Sequence, residues 1–342
     1  EDGTTLDRFV ITNDAVSATA KGTIDRNAAN LDLQARLSEL SLVMPELSGP
    51  ATLDAAIRWA KDAPVILDRL EAEAMGTHLS GEGTLDLADE TLPVASTLRV
   101  SAADLGRFSA LAGRPLGGGL EAVVSGAGAV KGSDFDLTLE AQGQNLAGGL
   151  GDIDKLFRGQ TTLSLAAAQA DGQLRIGHLR LQSPALTANV ESGQSDSLEF
   201  TANLSDLALL APDFPGPASV TGTARPDGGD WLVDLNATGP GGTTGTISGR
   251  VAENAETVNL ALAGTAPLGL ANTFIAPRSL LGTLRYDLRV DGKPGLQALS
   301  GVISTTDARL AAPTLGLALS NIGATIYLSG GRAVIDLTAR SS

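Results

Sequence analysis

The chain has 342 residues, of which 43% are hydrophobic but only 3% aromatic, and it contains 41 glycines, no cysteine and a formal net charge of −15. This composition is too apolar for a disordered chain. The acidity argues against nucleic-acid binding, which needs Lys and Arg for phosphate contacts. The absence of cysteine excludes disulfides, thiolate metal sites and a cysteine nucleophile.

Strands dominate the predicted elements from the N terminus onward. Apolar and polar residues alternate at period two, which predicts sheets with one apolar and one wet face. We therefore predict an all-β protein. The apolar positions that best follow this alternation are, in chain order, Val16, Ala18, Ile24, Leu31, Leu33, Leu186, Val190, Leu198, Phe200, Leu204, Val258, Leu260 and Leu262.

The strand pattern recurs in blocks, and each block ends in a short apolar crossing with a Gly/Pro break. The segments 103–113 and 149–159 predict about two helical turns each, and 208–216 predicts a crossing after a strand that ends at Leu204. Repetition on this scale indicates a solenoid-like array. We predict one continuous repeat array over 1–342, with approximate units 1–48, 49–112, 113–158, 159–215, 216–281 and 282–342.

The predicted architecture is an elongated, twisted, groove-like sheet with an apolar concave interior and short pseudo-helical crossings. Small side chains leave such a groove open, whereas aromatic side chains would fill it. The alternative is a packed sandwich core, in which the same apolar residues contact only protein.

An apolar groove needs an occupant, since exposing that much apolar surface to water is costly. Acyl chains are the expected occupant, with lipid headgroups projecting into solvent. The thirteen apolar positions above are accordingly predicted to line the groove and to bind phospholipid cargo. We predict no other cofactor.

The phrases "ANLSDLALLAPDFPGPASVTGTA", "LRVSAADLGRFSALAGRPLGGGLEA" and "LGLALSNIGATIYLSGGRAVIDLTA" resemble TamB-type members of the AsmA-like family of Gram-negative envelope proteins. The likeness is one of spacing and apolarity and covers essentially the whole chain. It implies periplasmic repeats that form a lipid-filled β-groove between the inner and outer membranes. It also implies phospholipid transport, and a TamA-type outer-membrane barrel partner in protein assembly. The family's N-terminal anchor helix and C-terminal domain are not recognised here.

Residues with catalytic or metal-binding potential are few. His78 and His178 lack a second ligand at suitable spacing, and we predict that both are structural or solvent-facing. Asp134, Asp136 and Glu140 are predicted to lie on a wet strand face. "PDGGDW" at 226–231 predicts a hairpin turn rather than a calcium loop. We predict no catalytic residue, no metal site and no enzyme activity.

The first residues, "EDGTTLDRF", resemble the lead-in to a strand. We therefore expect an interior piece of a longer periplasmic protein, anchored in the inner membrane by a segment outside this chain. Two alternatives to lipid transfer stay open. One is a scaffold or chaperone that templates outer-membrane strands by β-augmentation, and the other is a surface β-solenoid without hydrophobic cargo.

Overall fold

The computed structural model describes residues 4–170, 173–193, 197–252, 254 and 256–341, with the backbone alone at 339–341. Glu1 to Gly3 of the predicted lead-in lie outside the described residues. The chain forms two compact units, Glu1–Pro184 (unit 1) and Ala185–Ser342 (unit 2). Antiparallel strands dominate both units, so the predicted all-β class is confirmed.

Unit 1 is an open antiparallel meander, because each strand pairs with the next strand along the chain. Its described strands are β1 (Thr4–Thr12), β2 (Val16–Ile24), β3 (Ala28–Leu37), β4 (Ala51–Ala60), β5 (Val65–Ala74), β6 (Thr77–Leu85), β7 (Pro93–Ala102), β8 (Gly117–Ala129), β9 (Phe135–Ala147), β10 (Gln160–Ala170) and β11 (Gln173–Gln182).

Unit 2 repeats this arrangement with one interruption. Its described strands are β12 (Leu186–Ser192), β13 (Leu198–Leu204), β14 (Ala218–Asp227), β15 (Asp230–Gly239), β16 (Thr243–Ala252), β17 (Val258–Pro267), β18 (Ser279–Leu281), β19 (Thr283–Gly292), β20 (Leu299–Ala312), β21 (Leu317–Ser329) and β22 (Arg332–Ser341). The short β18 and the following β19 both pair with the long β20, while β19 also pairs with β17.

The strand connections divide into two kinds, of which the helical crossings lie at one edge of the sheet within each unit, together with the tight turns after β1 and β5. Tight polar turns join strands at what we call the hairpin edge, for example between β4 and β5 and between β14 and β15. Short helical crossings lie at the opposite, crossing edge, because they all follow strands that run in the same direction. They are 40–42, 105–108 with α1 (Ser109–Ala112), and 151–157 in unit 1, and 207–209, 240–242, 268–271 with α2 (Asn272–Ile275), and 313–315 in unit 2.

The predicted crossings are confirmed, including the helical turns within 103–113 and 149–159 and the end of β13 at Leu204. The crossings at 240–242 and 313–315 were not predicted. The hairpin prediction at "PDGGDW" is also confirmed. Asp227 pairs directly with Asp230 across Gly228 and Gly229, whose φ values are 64° and 95°.

Two crossings are closed by the same device. The segments 39–51 and 206–218 share their spacing of Leu, Pro, acidic residue and Gly. A Glu39 side-chain oxygen accepts a hydrogen bond from the Gly49 N–H (2.6 Å), and the Asp206 carboxylate accepts one from the Gly216 N–H (2.8 Å). The backbone hydrogen bonds from Leu40 and Leu207 to the same glycines' carbonyls repeat as well, at 2.8 and 2.7 Å.

Tight packing is confined mainly to the crossing edge. Among the described residues no large side chain is fully buried. Most of the side chains that are buried come from the crossings themselves, or from strand ends beside them, whereas Ala55 in β4, Ala308 in β20 and Ile322 in β21 lie within their strands. The buried residues at or beside the crossings are Leu47, Ala102, Leu156, Thr161 and Ser183 in unit 1, and Pro240 and Ala312 in unit 2.

Candidate functional site

Strand register brings apolar side chains into continuous rows across unit 1. Residues directly opposite each other in neighbouring antiparallel strands lie on the same face of the sheet. The five residues predicted from β2 and β3 all share one face, which we call the apolar face. One row on it, from β2 to β11, contains Ala20, Leu33, Ala55, Leu70, Gly81, Leu98, Val124, Leu139, Leu165 and Leu179.

Unit 2 has an apolar face built in the same way. The eight residues predicted from β12, β13 and β17 all lie on it. One row runs across the unit through Val190, Phe200, Gly222, Leu235, Ile247, Leu262, Leu288, Gly301, Leu328 and Ala333. Sequence reasoning named only three strands of this unit, whereas the register extends the face to ten.

The apolar faces are not packed as a protein core. Twelve of the thirteen predicted side chains are half-buried, and Ile24 is 42% exposed. A sandwich core of this size would bury large Leu, Ile and Phe side chains almost completely, whereas none of the thirteen predicted residues is buried and, of the described large apolar side chains, only Leu47, Leu156 and Ile322 are as little as 6–7% exposed. The faces therefore leave apolar surface accessible. That these residues bind lipid stays a prediction.

The opposite face is polar and is held by hydrogen bonds and ion pairs between strands. Its central row in unit 1 is Thr19, Gln34, Asp54, Glu71, Ser80, Arg99, Val123, Glu140, Ser164 and Arg180. Hydrogen bonds from Arg69, and then from Gln34, lower the pKa of Asp54. The Arg58 guanidinium, which donates two hydrogen bonds to Asp68, likewise lowers the pKa of that carboxyl group.

Both histidines have partners on the polar face that spacing in the sequence did not reveal. His78 Nε2 lies 2.9 Å from Glu71, and its side chain is 55% exposed. His178 Nε2 lies 2.8 Å from Ser164 Oγ, which donates its single proton to Glu140 (2.6 Å). Nε2 of His178 must therefore donate to Ser164, the reverse of what a base activating a serine nucleophile does.

No three His, Asp or Glu side chains within the described part of the chain come close enough together to hold a metal ion. In the same part, no helix is long and apolar enough to cross a bilayer. Comparison with known proteins gives no match to any family model, curated protein or solved structure. The resemblance to the AsmA-like family therefore stays a prediction from sequence pattern.

Proposed function

We propose that this chain is a segment of a bridge-like lipid transfer protein, in which the apolar faces shield phospholipid acyl chains. The observation that carries the proposal is the run of apolar side chains that is continuous across each unit and only half-buried. Apolar surface left in water costs about 25 cal/mol per Å², so a face of this extent favours an apolar occupant.

The dimensions of the face suit an acyl chain. A ten-residue strand spans about 33 Å at roughly 3.3 Å per residue. An acyl chain in one leaflet of a bilayer reaches about 15 Å, half of the roughly 30 Å hydrocarbon core. Ala and Gly in the rows leave room above the sheet for such a chain.

The proposed mechanism is passive. Lipids move along rows of similar apolarity, and no side chain forms or breaks a bond. The apolar faces and the resemblance to the AsmA-like family together support a location in the periplasm, between the inner and outer membranes. The whole protein would be anchored by a segment outside this chain. A TamA-type partner would contact regions outside this chain.

A second candidate is a scaffold for outer-membrane β-strands, acting by β-augmentation. It is favoured by β22, which among the described strands of unit 2 pairs with β21 only. Its Val334, Ile335 and Leu337 side chains are 67%, 64% and 63% exposed. A stretch of exposed apolar residues on an edge strand is a template for further pairing.

The two candidates differ in what the purified chain carries. We expect phospholipid to co-elute in stoichiometric amounts when the protein, purified in mild detergent, is studied by native mass spectrometry. Lipid-free protein that binds unfolded outer-membrane β-strands would favour the scaffold. Protein that carries no phospholipid and binds no outer-membrane β-strand would favour the third alternative, a surface β-solenoid.

The apolar face of β17 provides a matched pair of variants. Leu260→Asp places a charge on the apolar face and is expected to lower co-purified lipid at least tenfold, because an unpaired charge against acyl chains is costly. Ala261→Asp is the control. It lies on the polar face of the same strand, is exposed, and pairs in register with Arg289. Equal lipid loss in both variants would contradict the assignment of the lipid-binding face.

A further inference from the structure

The hairpin edge and the crossing edge of the apolar face differ in where the tryptophans lie. Both tryptophans of the chain lie on this face beside the hairpin edge. Trp59 is the last residue but one of β4 and pairs with Ala29, and Trp231 is the second residue of β15 and pairs with Val251. Both indoles are half-buried.

Charged residues lie at the same edge of the sheet as each tryptophan. Lys61 follows Trp59 by two residues in the turn after β4 and is exposed. At the same edge as Trp231, but on the polar face, an Arg250 nitrogen lies 2.7 Å from an Asp227 carboxylate oxygen, and both side chains are about half exposed. Three of the five lysines in the chain, Lys61, Lys131 and Lys293, lie in turns at the hairpin edge.

The crossing edge carries no tryptophan, although exposed apolar side chains lie at both edges, with Leu87, Val130 and Leu296 in turns of the hairpin edge. Large apolar side chains of the crossings are exposed at the crossing edge, including Leu42, Val43 and Met44 in unit 1 and Phe274 in unit 2. Tyr286, on the apolar face near this edge, donates its hydroxyl proton to the Thr244 carbonyl oxygen (3.0 Å). Its polar end is therefore satisfied within the protein.

Indole rings prefer the boundary between hydrocarbon and polar headgroups, since one end of the ring is apolar and its N–H needs a polar partner. From this preference and the charged turns we infer that phospholipids bind to each unit with their headgroups at the hairpin edge and their acyl chains directed toward the crossing edge. This inference rests on the proposed lipid-transfer function and adds the orientation of the cargo.

Fluorescence quenching of the two native tryptophans tests the orientation. The full chain is incubated with phosphatidylcholine vesicles that carry a nitroxide either on the headgroup or at the methyl end of an acyl chain, and is then separated from them. We expect the headgroup nitroxide to quench about twofold more strongly than the chain-end nitroxide, because it lies at the level of the indoles. Trp59→Phe and Trp231→Phe assign the signal to each unit.

A reporter at the opposite edge controls the comparison. In the Trp59→Phe/Trp231→Phe background, Leu204→Trp places an indole on the apolar face at the crossing end of β13. There the chain-end nitroxide is expected to quench more strongly. The reverse order at either edge, or equal quenching by both labels with lipid bound, would overturn the orientation while the proposed function stands. Protein that carries no lipid, as measured by mass spectrometry, would overturn the proposed function itself.

Discussion

Single glycines on the apolar face allow neighbouring strands to approach closely. Gly22 in β2 and Gly249 in β16 have φ values of +147° and +140°, which other residues rarely adopt. At each position a Cβ atom would collide with a backbone carbonyl of the next strand, that of Asn30 or Asn259. Both positions therefore require glycine, because a side chain would be strained at this φ and would also collide with the next strand.

Gly249→Ala is expected to lower the free energy of unfolding by about 1–3 kcal/mol, because alanine is strained at this φ and its Cβ meets backbone that cannot rotate away. Chemical denaturation with circular dichroism measures the change. Gly295→Ala is the control, since a Cβ there meets no atom within 4 Å and φ lies outside the positive region. A loss no larger at 249 than at 295 would contradict the steric argument.

At the same scale, the histidines show what spacing alone misses. The segments "GTHLSGEG" and "IGHLRLQ" lie in strands, and both histidines, which we predict to be structural or solvent-facing, lie on the polar face. The sequence pattern does not predict that His78 meets Glu71, because that contact depends on the register between β5 and β6. That register is uniform from the Ala74–Thr77 pair to the Leu70–Gly81 pair, and it shifts only beyond them, between Leu67 and Leu70 in β5. A bulge of this kind leaves no signal in one strand's own periodicity.

At the scale of elements, one carboxylate closes each of the two crossings with matching sequences. It is Glu39 in the segment 39–51 and Asp206 in the segment 206–218. Asp206 accepts hydrogen bonds from the N–H groups of Gly216 (2.8 Å) and Ala208 (3.0 Å). These two hydrogen bonds lower the pKa of Asp206 below its ordinary value of 3.8, and the bond from Gly216 has the larger effect. The carboxylate thus closes the crossing and caps its helical turn at once.

The sign of the pH dependence follows from this lowered pKa. The stabilising contribution of Asp206 is complete well above its ordinary pKa of 3.8 and is lost as the pH falls through its folded pKa. Asp206→Asn keeps an acceptor oxygen but no charge. It is expected to lower Tm at neutral pH and to reduce the fall in Tm between neutral pH and about pH 3.

Asp213→Asn is the matched control, because Asp213 is an exposed acidic residue of the same crossing. Its substitution is expected to leave Tm at neutral pH nearly unchanged. Differential scanning calorimetry at several pH values distinguishes the two variants. Identical profiles for Asp206→Asn and Asp213→Asn would show that the hydrogen bonds to Gly216 and Ala208 do not stabilise the crossing.

At the scale of the whole molecule, the exposed apolar faces have a thermodynamic signature. The heat-capacity change of unfolding grows with the apolar area that folding buries, and is about 12–15 cal/mol/K per residue for typical globular proteins. With no large side chain fully buried among the described residues, we expect a clearly smaller value for the lipid-free chain.

Bound phospholipid is expected to raise both this heat-capacity change and Tm, since acyl chains complete the burial and bind only the folded state. Calorimetry of lipid-free and lipid-loaded protein measures both quantities. The Leu260→Asp variant is expected to show little change on loading. An ordinary heat-capacity change for the lipid-free chain would indicate that its apolar faces are already covered.

The sequence by itself determined the all-β class, the face on which the thirteen predicted residues lie, the hairpin at 226–231 and the main crossings. These features depend on local alternation and on turn residues, which act over a few positions. Only the tertiary structure decided the continuity of the rows, the partners of His78 and His178, and the confinement of tight packing to the crossing edge. Those features depend on the register between strands, which the pairing of distant segments sets and no single segment encodes.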